Sequence, residues 1–503
     1  MRPVHVLLVL VMLAGLLCLR WAVGGGPSDI TTLVVDHSLV STPISMAVSN
    51  ETCFPTSRED GFAADRIANC LLKNFKLDRR SPADVMESLL NRPRRVARAW
   101  YSRGGCTESI LRRSFRSTST AVSLRVVPPK LLSVVPDNVS SWFFAESIQR
   151  VVASTQFLKE WEVLRTELRF PEFITAGEPE LGRRYNLTAS LSWRTADGFP
   201  LVLHFGDFAG EGPHECVFGA YSREIHNSSS FTVWDPYVAP LRGITLSSYR
   251  PTNFLKHAQD VFGTQCRATK FLGDVPAGTG DQALAHSVTK ALRTLPAWES
   301  RKDTLYFRGS PTHRIRRAIS EGATGAHLDI AVRKFYQLGK RETFEPFSDC
   351  YSSKMVLALR GMNAALRDRQ LLLSGSALVR IMDIDKEPLQ MPHDMLHPFV
   401  HYIPLMYRGP VGKTKAKQGP KQLVHLTGMG LNNVVATLLK DFGSKSFDVG
   451  PAGKLTVPPE SILHAMGQNN LRVAAMIASE QFRDEVVRRV LWMYIAYALN
   501  PTM

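Results

Sequence analysis

The chain has 503 residues, 44% hydrophobic and 21% charged, a balance that excludes an intrinsically disordered chain and fits a globular protein. That length exceeds what one hydrophobic core supports, and it points to two domains plus a targeting segment. A formal net charge of +16 biases the protein toward anionic partners such as membrane surfaces, acidic glycans or nucleotide phosphates; nucleic acid is set aside because the N-terminus has a secretory character.

Met1-Arg2-Pro3 leads into an unbroken apolar run from Val6 to Leu19, followed by Arg20-Trp21. The run is shorter than the ~20 residues of a full membrane span and matches a signal-peptide core. Ala22 and Gly24 offer small residues for cleavage. Counted from Val4 to Val23, the same stretch is instead a short signal anchor in the membrane, with Arg20 reaching to its luminal edge. Either form of segment 1–24 puts the body in the lumen. Sequons at Asn50, Asn138, Asn186 and Asn227 agree with that address. Asn500-Pro501-Thr502-Met503 is not a Lys-Asp-Glu-Leu-type signal, so the Golgi is expected ahead of the endoplasmic reticulum. In an oxidising lumen Cys53, Cys70, Cys106, Cys216, Cys266 and Cys350 can form up to three disulfides, with the pairing left open.

Residues 25–52 are rich in Gly, Ser and Thr and read as a stem. From Cys53 to Arg116 the chain looks helical and basic, and Ser81-Pro82-Ala83-Asp84 is a helix start with a capping serine and an acid at the third position. Arginines crowd residues 92–116; they read as a solvated basic face, with an anionic glycan or membrane surface as the functional alternative. Val122 to Val135 reads as strand, Ala145 to Leu168 as helix, and Leu187 to Trp193 and Leu201 to Phe205 as strands. The last of these stops at Gly206-Asp207, as a buried parallel strand does, and sites in α/β proteins are built at such ends. A helical stretch from Asp281 to Leu292 leads to Leu305-Tyr306-Phe307, the first strand of a second domain. A Lys/Gly/Pro-rich loop covers Lys413 to Lys421. Ser461 to Gln468 and a long helix from about Leu471 to Leu499, bounded by Pro501, close the chain. The domain expectation is 53–295 and 296–503.

The most informative stretch runs from Leu305 to Pro404. Twice a short apolar run ends in Arg-Gly, at Arg308-Gly309 and at Arg360-Gly361, and further arginines follow: Arg314, Arg316 and Arg317, then Arg367. In a βα architecture, backbone N–H groups and guanidinium forks at such ends can hold phosphate oxygens. Leu373-Ser374-Gly375-Ser376 and His397-Pro398-Phe399-Val400-His401-Tyr402-Ile403-Pro404 complete the stretch.

The order and spacing of these blocks resemble the capsule-associated-protein family, glycosyltransferase family 90, which includes protein O-glucosyltransferases and capsule xylosyltransferases. Gly206-Asp207-Phe208, Cys216-Val217-Phe218 and Trp234-Asp235-Pro236 extend the resemblance more loosely toward the N-terminus. It implies a GT-B-like α/β fold, with two Rossmann-like domains facing a cleft. It also implies an inverting enzyme that moves xylose or glucose from UDP-xylose or UDP-glucose to a glycan or secreted-protein hydroxyl, with no obligatory cofactor or metal. On that resemblance Asp207 is the catalytic base, and Ser310, Arg316 and Arg367 bind the donor with Gly309 and Gly361 in the turns. Arg308 joins this set, or fixes its loop through backbone carbonyls. Two departures, Gly206 where relatives carry arginine and Ala364-Ala365-Leu366 where they often carry a serine, motivate the alternative of an inactive luminal binding protein.

Asp383-Ile384-Asp385 looks like an Asp-x-Asp metal motif but follows the Gly375-Ser376 block, where that motif has no counterpart. His393, His397 and His401 are four apart, yet Pro392 and Pro398 break any helix that would align them. His401 is expected to be structural.

Overall fold

The computed structural model describes residues 53, 63–101, 121–133, 143–167, 169–176, 198–205, 219–221, 288–289, 292–293, 295–309, 314–332, 351–359, 371–383, 395–407, 419–444 and 460–498. The expected targeting segment, stem, sequons and 187–193 strand lie outside them, as do Cys106, Cys216, Cys266 and Cys350. Among the described residues no helix is long and apolar enough to cross a membrane.

Cys53, the first of the described residues, is disulfide-bonded to Cys70 on helix α1 (Ala64–Asn74). Helix α2 (Pro82–Tyr101) starts where the sequence signals it. The Ser81 N–H donates to Asp84 Oδ2 (2.8 Å) and the Asp84 N–H to Ser81 Oγ (3.2 Å), a reciprocal capping box. Strands β1 (Ala121–Val127) and β2 (Lys130–Ser133) form an antiparallel hairpin turning at Pro128-Pro129, where one strand over 122–135 was expected. Proline has no N–H for the ladder, so the pair ends the strand.

The helix expected over 145–168 is two. α3 (Phe143–Val152) stops at Ala153-Ser154, and Ser154 Oγ accepts the Phe157 N–H to cap α4 (Thr155–Glu167). A short helix, α5 (Glu172–Ala176), follows. Strand β3 (Phe199–Phe205) lies antiparallel to β1 and parallel to β4 (Gly219–Tyr221), giving a mixed sheet in the order β2-β1-β3-β4. β3 is therefore a parallel strand on one side only.

The second sheet is wholly parallel. β5 (Lys302–Gly309) leads into α6 (Arg314–Gly322) and then β6 (Leu328–Val332); β7 (Ser353–Leu359), β8 (Ala377–Asp383) and β9 (Tyr402–Tyr407) follow in order. The spatial order is β6-β5-β7-β8-β9. The chain steps outward from β5 to β6, then crosses back to β7. The doubly wound direction therefore reverses between β5 and β7. β7 is buried along its whole length, which accounts for its apolar run.

One face of this sheet, including Leu305, Phe307, Leu357 and Ile403, packs against Ile315 and Ile319 of α6. The same core takes in Leu431, Val434 and Leu438 of α7 (Gly419–Phe442) and Ile67 and Leu71 of α1. Each such side chain contributes ~1.5–3 kcal/mol on burial. The first turn of α7 falls where the Lys-rich loop was expected.

The single closing helix expected over 471–499 is also two. α8 (Ile462–Ala478) starts earlier, capped by Ser461, and ends at Ser479. That serine has left the helical region (φ −66°, ψ 120°), and its side chain accepts the Phe482 N–H to start α9 (Glu480–Met493). A π-turn, Tyr494–Ala498, follows. α9 packs on α2 and α3, near the start of the chain.

Candidate functional site

Ligands of open α/β sheets sit beyond the carboxyl ends of the strands, at the point where winding reverses. Here that point lies between β5 and β7, whose register pairs Tyr306 with Val356. β5 ends on Arg308-Gly309 and β7 ends on Leu359, immediately before Arg360-Gly361. The strands that lead into the two Arg-Gly pairs of the sequence are thus neighbours, with Arg360 and Gly361 themselves outside the described residues.

α6 begins beside them. It has no acid in its first turn, and that turn carries Arg314, Arg316 and Arg317. A helix N-terminus is the positive end of its dipole, and each cation there is unfavourable by ~0.3–1 kcal/mol. Arg316 is only 6% exposed. Its Nη2 donates to the Leu359 carbonyl (2.8 Å), and its guanidinium carbon lies 5.6 Å from the centre of the Phe307 ring. One buried arginine therefore ties the start of α6 to the ends of both strands. Arg317 is exposed, and Gly309 is half-buried at the end of β5.

Arg308 is held differently. Its Nη1 donates to the Phe307 carbonyl (3.1 Å) and the Asp329 carbonyl (2.8 Å), and its Nη2 pairs with Asp329 Oδ1 (2.7 Å). Asp207, Ser310, Gly361 and Arg367 lie outside the described residues. Asp207 follows the end of β3 by two positions, and Ser310 directly follows β5. Asp383 is the last residue of β8, with Asp385 outside the described part. Among the described residues no group of three or more His, Cys, Asp or Glu side chains gathers as a metal site.

The other two blocks of the motif stretch sit at the opposite, amino-terminal edge of the sheet. Leu373 to Ser376 forms the turn before β8, not a strand. Arg301 Nη1 donates there to the Ser374 carbonyl (3.1 Å) and to Ser376 Oγ (3.0 Å). His401 precedes β9 and is fully buried. Its Nδ1 accepts the His397 N–H (2.9 Å), which leaves Nε2–H to donate to Asp78 Oδ2 (2.9 Å). Asp78 also binds Arg80 Nε (2.9 Å), and its N–H donates to Asn469 Oδ1 (2.9 Å). At the same edge the His464 ring stacks on Trp298, with ring centres 4.9 Å apart. Nearby, Glu460 and Glu299 are hydrogen-bonded through their side chains. Burial and that bond push Glu460 up to about 7. Asp78 and the Glu pair escaped the sequence reading because neither belongs to a local motif; their partners are hundreds of residues away or on separate short turns.

No protein-family model matches the chain, and no curated protein matches it either.

Proposed function

We propose that this chain is an inverting glycosyltransferase of the secretory pathway, GT-B-like, with two Rossmann-like domains facing a cleft. It transfers xylose or glucose from UDP-xylose or UDP-glucose to a hydroxyl of a glycan or a secreted protein in the Golgi lumen. The observation that supports the reading is that β5, which ends on Arg308-Gly309, and β7, which the sequence continues into Arg360-Gly361, are neighbours at the winding reversal, beside a helix whose first turn holds arginines and no acid. That is a site for a diphosphate. The Cys53–Cys70 disulfide supports an oxidising compartment.

In this reading Asp207 removes the acceptor hydroxyl proton as the oxygen attacks the anomeric carbon. The bond from that carbon to the β-phosphate oxygen breaks on the opposite side, and its electron pair leaves with UDP. Ser310, Arg316 and Arg367 stabilise the charge that develops on the diphosphate, so no metal is obligatory. A single displacement turns the donor's α linkage into β.

The test is UDP release by the purified protein with each donor. Asp207→Asn should lower release by ~10²-fold or more while UDP still binds. Arg367→Ala should weaken UDP binding by ~10-fold or more, as loss of a charged hydrogen bond does. Equal release by wild type and Asp207→Asn would remove Asp207 as the base. Tight UDP binding without release on any acceptor would assign the chain a binding role instead.

A further inference from the structure

Arg308 stands next to the proposed donor turn, and its sequence position makes it a natural phosphate ligand. The direction of its side chain says otherwise. In the parallel pair β5–β6, Arg308 lies opposite Ala331 and Tyr306 opposite Asp329. Instead of extending past the strand end, the guanidinium folds back over the Tyr306 ring, with its carbon 4.6 Å from the ring centre. From there it reaches the carbonyl and carboxylate of Asp329. Tyr306 and Asp329 lie two residues back on their strands, ~6–7 Å from the level of Arg308 and away from the crevice.

β6 is the edge strand and is only half-buried throughout, with Leu328, Ile330 and Val332 packed against the core from one face. The Arg308–Asp329 pair is itself partly exposed, with the side chains 19% and 33% accessible. Pairs of that kind contribute ~0–1 kcal/mol to stability. What the pair does fix is geometry: of three polar contacts made by the Arg308 guanidinium, two reach Asp329 of β6 and one returns to the Phe307 carbonyl of β5, so the end of β5 is held to its neighbour.

We infer that Arg308 and Asp329 are positioning residues: they clamp edge strand β6 to β5 and so set the direction in which the chain leaves β5 at Gly309, without touching the diphosphate. This rests on the nucleotide-sugar reading above.

The experiment is a double-mutant cycle on the full-length protein with Arg308→Ala, Asp329→Ala and the double variant, and with Arg308→Lys and Asp329→Asn should a truncated side chain impair folding. UDP affinity is read by calorimetry, and KM and kcat are read with the faster UDP-sugar donor. Each single change should raise Kd for UDP and KM for the donor by ~3–10-fold with kcat nearly kept, and the double variant should be no worse than the worse single one. A loss of UDP binding in Arg308→Ala with none in Asp329→Ala would overturn the inference, because Arg308 would then contact the ligand. Unchanged Kd and KM beside a lowered melting temperature would overturn it as well, leaving the pair to stability alone. Failure of the underlying reading shows separately, as a wild-type protein that binds no UDP.

Discussion

Burial works against the ionisation of Asp78, yet hydrogen bonds from His401 and Arg80 overcome it and hold the carboxyl well below the usual carboxylate range. Burial lowers the proton affinity of His401 despite that carboxylate, so the imidazole stays neutral with its proton on Nε2. It is an anchor. With the folded pKa of Asp78 depressed, the stability it contributes is full above its ordinary value of 3.8 and is lost as pH falls below it. Asp78→Ala leaves Arg80 and His401 facing no carboxylate and should cost ~3–5 kcal/mol in urea unfolding at pH 7. The deficit should shrink toward pH 3, and an equal deficit at both pH values would refute the ionised pair. The structural character of His401 was legible from its Pro-flanked block. Its partner was not, because 323 residues separate the two and no local pattern encodes that distance.

At the scale of elements, Gly467 departs from ordinary helix preference. Alanine in an exposed helix interior is favoured over glycine by ~1 kcal/mol. Gly467, however, lies in α8 where a Cβ would run into the Gly375 carbonyl, and Gly375 itself takes φ +62° in the turn before β8. Gly467→Ala should therefore destabilise, by ~1–3 kcal/mol as overpacking does; a raised unfolding midpoint would contradict this packing. Capping chemistry made some boundaries legible: Ser81 and Asp84 mark the start of α2 in four letters. Ser479 was not legible as a break, because serine is tolerated inside helices and the apolar spacing continues past it. α7 was hidden by the lysines and glycines near its start, although Leu431, Val434, Val435 and Leu438 repeat at helical spacing.

Across the whole molecule, the residues that end β5 and β7 could be picked from sequence, but their adjacency could not. It follows from a strand order set by pairing between distant segments. The same holds for α9. Arg488 pairs with Glu160 of α4, Trp492 Nε1 donates to Glu160 Oε2 (2.7 Å), and Arg150 of α3 pairs with Asp484 (2.9 Å). The Trp492 ring packs 5.2 Å from Phe157 and 6.3 Å from Trp161, centre to centre. A chain ending at Ala478 would expose that aromatic cluster and leave Glu160 without these partners. It should be cleaved within α3–α4 under limited proteolysis that spares the full chain; equal resistance would show that α9 is dispensable.

The seat of α9 also sets a timetable for biosynthesis. The helices it covers leave the ribosome first, and their cover follows only after roughly 330 further residues have been made. At ~5–20 residues per second the interval is roughly 15–65 s. Throughout it, Phe157 and Trp161 wait in a nascent chain without their final neighbour, and premature release would deliver them uncovered to the chaperones.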